Sequence, residues 1–236
     1  MLSRLADALV PAFGRLTVTT DPGATLAPGS VVVANHTSLA DPAIVLAALR
    51  RLGVEPVVLA TAGLWRVPVL GRALEREGHV PVHRRDERAA DALTGAARAL
   101  DRGRVVLIYG EGGLPRRRDA GEAAPEDFRS GLARLVERTG APVVPLGQAG
   151  ARRVTSGGGA KQLAGLFTAP LRRPRLHVHV GTSVALTGGD CAERTARARE
   201  AVTAAWRTAA SHLGEPVAPR ALATAGAATA AARPGR

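Results

Sequence analysis

Two periods of apolar residues alternate along most of the chain. Short runs rich in β-branched residues predict strands, and longer segments with apolar positions three or four apart predict helices between them. The predicted strands cover residues 16–20, 30–34, 56–60, 79–83, 104–109, 142–146 and 176–180. The predicted helices cover residues 42–51, 68–77, 87–101, 128–139 and 192–213. This alternation predicts an α/β fold, a single domain with a mostly parallel central sheet flanked by helices.

An apolar stripe with helical spacing opens the chain, formed by Leu2, Leu5, Leu9, Phe13 and Leu16. It predicts an amphipathic N-terminal helix over residues 1–15, kinked at Pro11. Such a stripe fits a membrane interface, and it fits equally well a helix that packs on the domain. Both interpretations stay open at this point.

The main domain is predicted to span residues 16–213. Within it, the Gly-rich segment 151–160 is expected to be a mobile loop. Residues 214–236 are mostly Ala, Pro, Gly, Thr and Arg, and lack the large apolar side chains that offset the entropy of ordering. We therefore expect a disordered tail after the domain.

Charge and composition narrow the class of partner. The formal net charge is +12, and almost all basic residues are arginine, since Lys161 is the only lysine. A basic surface predicts an anionic partner. Aromatic residues are only 3% of the chain, which argues against the base stacking typical of single-strand binding, so we expect no nucleic acid partner. An anionic membrane surface remains as the expected partner.

Cys191 is the only cysteine, which excludes an internal disulfide and a multi-cysteine metal site. No window approaches the length of about 20 apolar residues that a spanning helix needs. We therefore predict a soluble or peripheral protein. His177 and His179 alternate on a predicted strand, but no acidic residue stands beside them, so we expect surface histidines and no metal.

The stretch VVVANHTSLADP places His36 five residues before Asp41, between an apolar strand and a predicted helix. Asp41 followed by Pro42 is typical of a helix start, with Asp41 as N-cap. A tight turn brings its carboxylate to one imidazole nitrogen and fixes the tautomer. The other nitrogen of His36 can then act as a general base near neutral pH, whereas an aspartate that only starts the helix gives His36 no chemical role, and both interpretations stay open at this point.

Two further residues directly follow predicted strands, as His36 does. They are Arg84 and Glu111. Ligand sites in parallel sheets lie beyond the carboxyl ends of the strands. We therefore expect all three side chains to meet at one rim of the sheet. Ser38 lies near His36, but the Gly-x-Ser-x-Gly pattern of a serine hydrolase is absent.

Four blocks in order resemble the glycerolipid acyltransferases, the family of bacterial 1-acylglycerol-3-phosphate acyltransferases. The first is residues 31–42, and the second, GHVPVHR, is residues 78–84. The third, VVLIYGEGG, is residues 105–113, and the fourth, FRSGLARLVERTGAPVVPL, is residues 128–146. The resemblance extends over roughly residues 16–150 and implies a fold like that of glycerol-3-phosphate acyltransferase.

This resemblance implies transfer of a fatty acyl group to 1-acyl-sn-glycerol-3-phosphate, giving phosphatidic acid. The general base and its orienting acid map onto His36 and Asp41. The expected substrate-binding residues are Arg84, Glu111, Gly112 and Gly113. The donor is acyl-CoA or acyl carrier protein, and no cofactor is expected. A lysophospholipid acceptor implies a peripheral protein on the cytoplasmic face of the cell membrane.

The third block departs from the family pattern Phe-Pro-Glu-Gly-Thr-Arg. Residues 109–114 read Tyr-Gly-Glu-Gly-Gly-Leu, and arginines follow only at 116–118. These arginines either reach the same phosphate from a longer loop or face solvent. Two alternatives therefore stay open: an acyltransferase for a different lysolipid or polar acceptor, and a non-catalytic basic protein that binds membrane or nucleic acid.

Overall fold

A seven-stranded sheet forms the centre of the computed structural model, which describes residues 1–83, 89–115 and 121–215. The strands are β1 (Arg15–Thr20), β2 (Val31–Ala34), β3 (Val57–Thr61), β4 (Val80–Val82), β5 (Val106–Tyr109), β6 (Val143–Ala149) and β7 (Arg175–Val180). Their order across the sheet is β1-β7-β6-β2-β5-β3-β4. All neighbours run parallel except β6 and β7. The predicted mostly parallel sheet is confirmed.

Helices cover both faces of this sheet. They are α1 (Leu2–Phe13), α2 (Asp41–Arg51), α3 (Pro68–Arg76), α4 (Ala89–Asp101), α5 (Gly131–Thr139), α6 (Gly159–Arg172) and α7 (Cys191–His212). One apolar cluster joins α1 and α2 to the sheet, and a second joins α4, α5 and α7 to the other face. Among the described residues, no helix is both long and apolar enough to cross a bilayer.

The middle of the sheet is β2, which pairs with β5 on one side and β6 on the other. Its residues Val31–Ala34 are completely buried. A strand covered on both faces carries apolar residues at every position, which explains the unbroken Val-Val-Val-Ala run. The first polar residues after this run therefore emerge at the carboxyl edge of the sheet.

After β6, the predicted strand over residues 176–180 and the predicted helix over residues 192–213 are confirmed as β7 and α7, but the prediction of a mobile loop over residues 151–160 is wrong. Residues 151–160 do not form a loop throughout: they include a short 3₁₀ helix at Ala151–Arg153, the buried Val154 and Thr155, and the start of α6. Helix α6 was not predicted, because its apolar side chains face outwards and Pro170 interrupts the helical pattern.

The N-terminal stripe is also shorter than predicted. Pro11 lies in the last turn of α1, which ends at Phe13, and Leu16 belongs to β1. The predicted tail lies outside the described residues from position 216 onwards.

Candidate active site

The chain leaves β2 at a point that is fixed by the neighbouring strand β6. The buried Asn35 donates from Nδ2 to the carbonyl of Gln148 at 3.0 Å, and the backbone N–H of Gln148 donates to Asn35 Oδ1 at 2.8 Å. This reciprocal pair continues the sheet pairing through a side chain. It leaves the next residue, His36, at the carboxyl rim in a defined orientation.

A buried carboxylate holds the imidazole of His36. The Nδ1 of His36 lies 2.9 Å from Oδ2 of Asp41, whose side chain is completely buried. The same oxygen accepts the backbone N–H groups of Thr37 at 2.5 Å and Ser38 at 2.9 Å. Because a carboxylate only accepts hydrogen bonds, Nδ1 carries the proton and the lone pair stands on Nε2.

The N-cap prediction for Asp41 is wrong. Ala40 is the N-cap of α2, and Asp41 is its first helical residue, followed by Pro42. The carboxylate does not cap α2, since it reaches back to the turn before the helix. That turn is what closes His36 onto Asp41 across five residues.

The ring of His36 is confined but not sealed. It stacks on Tyr109 of β5, with ring centroids 4.4 Å apart, and its side chain is 13% exposed. Burial raises the pKa of Tyr109 well above its usual value, so the phenol stays neutral beside the imidazole. None of the described residues forms a hydrogen bond with Nε2, so this nitrogen is available to a substrate proton.

A second layer of polar groups supports the turn. Thr37 Oγ1 lies 3.4 Å from Asp41 Oδ1 and accepts a hydrogen bond from Gln148 Nε2 at 3.0 Å. Arg152 donates from Nη1 to the carbonyl of Thr37 at 2.9 Å. Neither Gln148 nor Arg152 was predicted as a site residue from the sequence. The one available signal was a glutamine in an otherwise apolar strand.

Glu111 meets His36 as predicted. Its Oε2 accepts the backbone N–H of His36 at 2.6 Å. Burial raises the pKa of Glu111 to about 8, with a smaller contribution from the charge of Asp41 and against the lowering effect of the backbone hydrogen bond from His36. At neutral pH the carboxyl group is therefore mostly uncharged, and it does not repel an anionic ligand.

Close packing explains one departure of the third block from the family pattern, the glycine at position 110 in place of proline. A side chain at Gly110 would overlap the ring of Phe128. Gly112, which matches the pattern, has a φ of +67°, and a Cβ there would lie 2.9 Å from Cγ of Arg129. The backbone N–H of Arg129 donates to the carbonyl of Gly110 at 2.9 Å. The turn from Gly110 to Gly112 therefore lies directly against Arg129.

Other predicted site residues have different outcomes. Arg84 and Arg116–Arg118 lie outside the described residues. The hydroxyl of Ser38 donates to the carbonyl of Thr155 at 2.9 Å and does not face His36. The structure thus brings His36, Asp41 and Glu111 together and leaves the arginine of the second block undetermined.

His177 and His179 are not surface residues, because their exposed fractions are only 2% and 5%. Both rings bond Thr19 Oγ1 at 2.9 Å, and Nε2 of His179 lies 3.1 Å from Oδ1 of Asp21. Within the described ranges, no group of three or more His, Cys, Asp or Glu side chains is arranged to hold a metal ion.

Comparison with known proteins gives a consistent picture. Residues 15–148 match the model of the Acyltransferase family. The chain is 32% identical over 117 residues to the chloroplastic 1-acyl-sn-glycerol-3-phosphate acyltransferase BAT2 of Brassica napus. It is 30% identical over 118 residues to LPAT1, the enzyme of the same name from Arabidopsis thaliana. These matches span 49% and 50% of this chain, and 31% of each relative.

A solved structure shows the same fold. The crystal structure of the 1-acyl-sn-glycerophosphate (LPA) acyltransferase PlsC from Thermotoga maritima superposes with a TM-score of 0.63 and 18% sequence identity. The similarity covers 89% of this chain and 78% of that one. This coverage is wider than that of the family match, which ends at residue 148.

Proposed function

This chain belongs to the acyltransferase family, and from that premise we propose that it acylates the free hydroxyl of 1-acyl-sn-glycerol-3-phosphate to give phosphatidic acid. The donor is an acyl thioester, acyl-CoA or acyl carrier protein. One observation supports this proposal above all: His36 Nδ1 lies 2.9 Å from the buried Asp41, while none of the described residues bonds Nε2.

In the proposed mechanism, His36 Nε2 removes the proton of the acceptor hydroxyl as the oxygen attacks the thioester carbonyl. The imidazolium that forms is stabilised by the carboxylate of Asp41. The tetrahedral intermediate then collapses, the C–S bond breaks, and the imidazolium returns its proton to the departing thiolate. A positioned base contributes about 10²–10⁴-fold. The acyl group passes directly to the acceptor, so no acyl-enzyme accumulates.

The acceptor phosphate needs a cation near the turn through Gly112. Arg84 is the residue expected from the second block, and it lies outside the described residues. Arg129 is exposed beside Gly112, and no described residue bonds its guanidinium group. Because a guanidinium group can donate two parallel hydrogen bonds to a phosphate, Arg129 fits the place of the missing third-block arginine.

A lipid acceptor also implies a membrane location. Each methylene of a long acyl chain costs about 0.8 kcal/mol to expose to water. Binding a lysolipid at the bilayer surface therefore avoids the free-energy cost of moving it into solution. The net charge of +12 favours an anionic surface. We place the protein on the cytoplasmic face of the cell membrane as a peripheral protein.

The test is thiol release from acyl-CoA with a panel of lysolipids and alcohols, compared between wild type and His36→Ala. The proposal predicts rapid release with lysophosphatidic acid and loss of that release in the variant. Equal rates for the two proteins would contradict it and would favour the non-catalytic alternative. Acyl carrier protein replaces acyl-CoA in a parallel assay to identify the donor.

A different acceptor remains as a second candidate, because Leu114 stands where the family pattern has arginine. Arg129→Gln separates the two. A phosphate-bearing acceptor predicts a KM about tenfold higher in the variant with a small change in kcat, since a charged hydrogen bond is lost. Neutral acceptors serve as the control. A similar effect on both kinds of acceptor would contradict the phosphate role.

A further inference from the structure

Two helices that are in contact leave large apolar residues exposed. In α1, Ser3, Ala6 and Val10 are buried, and Leu2 and Phe13 are partly buried against the core, whereas Leu5 and Leu9 are about half exposed. A helix that packs only on its own domain buries its largest apolar residues. This arrangement indicates that the leucines of α1 serve another contact.

The pattern is stronger in α6. Ala169 is its one buried residue, while Leu163, Phe167 and Leu171 are 59%, 77% and 89% exposed. Large apolar side chains with this exposure on one short helix are unusual for a surface that meets only water. Nothing in the described part of the chain covers them.

The two helices lie side by side. They are in contact, and Arg173 at the end of α6 donates from Nη2 to the carbonyl of Pro11 in α1 at 3.1 Å. We call their exposed apolar residues the α1–α6 face, which consists of Leu5, Leu9, Leu163, Leu166, Phe167 and Leu171. The face joins two elements that are far apart in sequence.

The charge on α6 has one sign. Helix α6 contains no acidic residue, and Lys161, Arg172 and Arg173 are all exposed. Arg172 bonds the carbonyls of Arg153 and Gly165, and no carboxylate of the described residues pairs with it. The acidic residue of α1, Asp7, is paired with Arg51. An apolar surface bordered by such cations complements a bilayer with anionic headgroups.

The segment that leads into α6 contacts the candidate active site. This segment contains Thr155, whose carbonyl accepts a hydrogen bond from the hydroxyl of Ser38. Ser38 lies two residues after His36 in the chain. Leu39 follows Ser38 and is 61% exposed. A bilayer against α6 therefore lies close to the turn that holds the general base.

We propose that the α1–α6 face is the surface by which this protein lies on an anionic bilayer, with Phe167 and Leu171 entering the acyl boundary. This inference depends on the proposed function in one respect, namely that the acceptor is a lipid of the membrane. It goes beyond that function by naming α6 as the docking element.

The test is sedimentation of the full chain with vesicles of phosphatidylglycerol and phosphatidylcholine. Phe167→Glu combined with Leu171→Glu is expected to lower the partition coefficient about tenfold or more, since two apolar groups leave the lipid and two negative charges face anionic headgroups. Val69→Glu is the matched control, because Val69 is 81% exposed on α3. It is expected to bind as wild type does. Thermal unfolding confirms that all variants are folded.

Turnover of two acceptors, one soluble and one held in vesicles, distinguishes failure of the docking proposal from failure of the proposed function. With a short-chain, water-soluble lysophosphatidic acid, the double variant is expected to match wild type, whereas it loses turnover of a long-chain acceptor held in vesicles. His36→Ala shows the opposite pattern, with normal vesicle binding and no turnover. If neither acceptor is used by any protein but the double variant still loses vesicle binding, docking stands and the proposed function fails.

Three results would overturn the proposal. The first is vesicle binding by the double variant equal to that of wild type. The second is an equal loss in Val69→Glu, which would move the contact to α3. The third is a wild-type dimer in solution that the double variant converts to monomer without any change in vesicle binding, which would make the face a contact between two copies.

Discussion

Two histidine–aspartate pairs occur at different places on the same sheet. His36 lies 2.9 Å from Asp41 at the carboxyl rim of β2, and His179 lies 3.1 Å from Asp21 beside the edge strand β1. In both pairs the imidazole is largely buried. Residue type and distance alone therefore do not distinguish them.

The difference lies in the second ring nitrogen. In His179, Nδ1 bonds Thr19 Oγ1 at 2.9 Å while Nε2 faces Asp21, so both nitrogens are occupied within the protein. In His36, only Nδ1 has a partner among the described residues. A general base needs a nitrogen that can reach a substrate proton. We therefore propose a catalytic role for His36 and a structural role for His179.

The largest expected effect follows from removing each aspartate. Asp41→Asn is expected to lower kcat for thiol release by about 10²–10⁴-fold, because the amide cannot stabilise the imidazolium and can favour the wrong tautomer. Asp21→Asn is the matched control and is expected to leave kcat close to wild type. Similar losses in the two variants would remove the distinction between the pairs.

The next effect concerns Glu111, which accepts a hydrogen bond from the backbone of His36 in the first pair. Its folded pKa of about 8 lies above the unfolded value, so the folded state holds the proton longer and stability falls as pH rises from 4.5 to 8. We expect the free energy of unfolding of Glu111→Gln, relative to that of wild type, to increase by about 1–4 kcal/mol as the pH rises through that range. Urea unfolding at several pH values measures this gain. A constant difference across that range would contradict it.

A smaller effect is expected from the support behind the turn. Gln148→Met keeps the volume of the buried side chain but removes the hydrogen bond from Nε2 to Thr37. We expect kcat to fall about tenfold with little change in KM, since the loss acts on the orientation of Asp41 and His36. A change in KM alone would contradict a positioning role. Unfolding in urea separates this effect from a loss of stability.

The smallest effect concerns stability and comes from His177, which bonds the same Thr19 hydroxyl as His179 of the second pair. Burial lowers the pKa of His177 to about 4, helped by the neighbouring charges of His212, His179 and Arg175. The unfolded chain therefore binds the proton first, and stability is lost as pH falls from 6.5 to 4. We expect His177→Gln to reduce this loss by on the order of 1 kcal/mol, with kcat unchanged. An unchanged acid transition would contradict the effect.

The fold was predictable where burial and pattern agree. In α5, Leu132, Leu135 and Val136 are buried at helical spacing, and the sequence predicts the helix. In α6, the large apolar residues face outwards and Pro170 lies within the helix, so the same rule gives no signal. A pattern rule assumes that apolar residues point to the core, and it fails where they point elsewhere.

The site was predictable only in its local part. His36 and Asp41 are five residues apart, and Glu111 follows the adjacent strand, so sequence position and parallel topology bring them together. Gln148 and Arg152 reach Thr37 from more than 100 residues away, and the short helix that contains Arg152 was not predicted. Such contacts depend on side-chain direction, which periodicity does not specify.

The most direct test of the central claim is thiol release from acyl-CoA by His36→Ala and His179→Ala, measured side by side on folded protein with lysophosphatidic acid as acceptor. We predict that His36→Ala loses about 10²-fold or more of kcat and that His179→Ala keeps a rate close to wild type, although it unfolds more easily. Wild-type turnover by His36→Ala would contradict the account, because the free nitrogen of that ring would then have no chemical role.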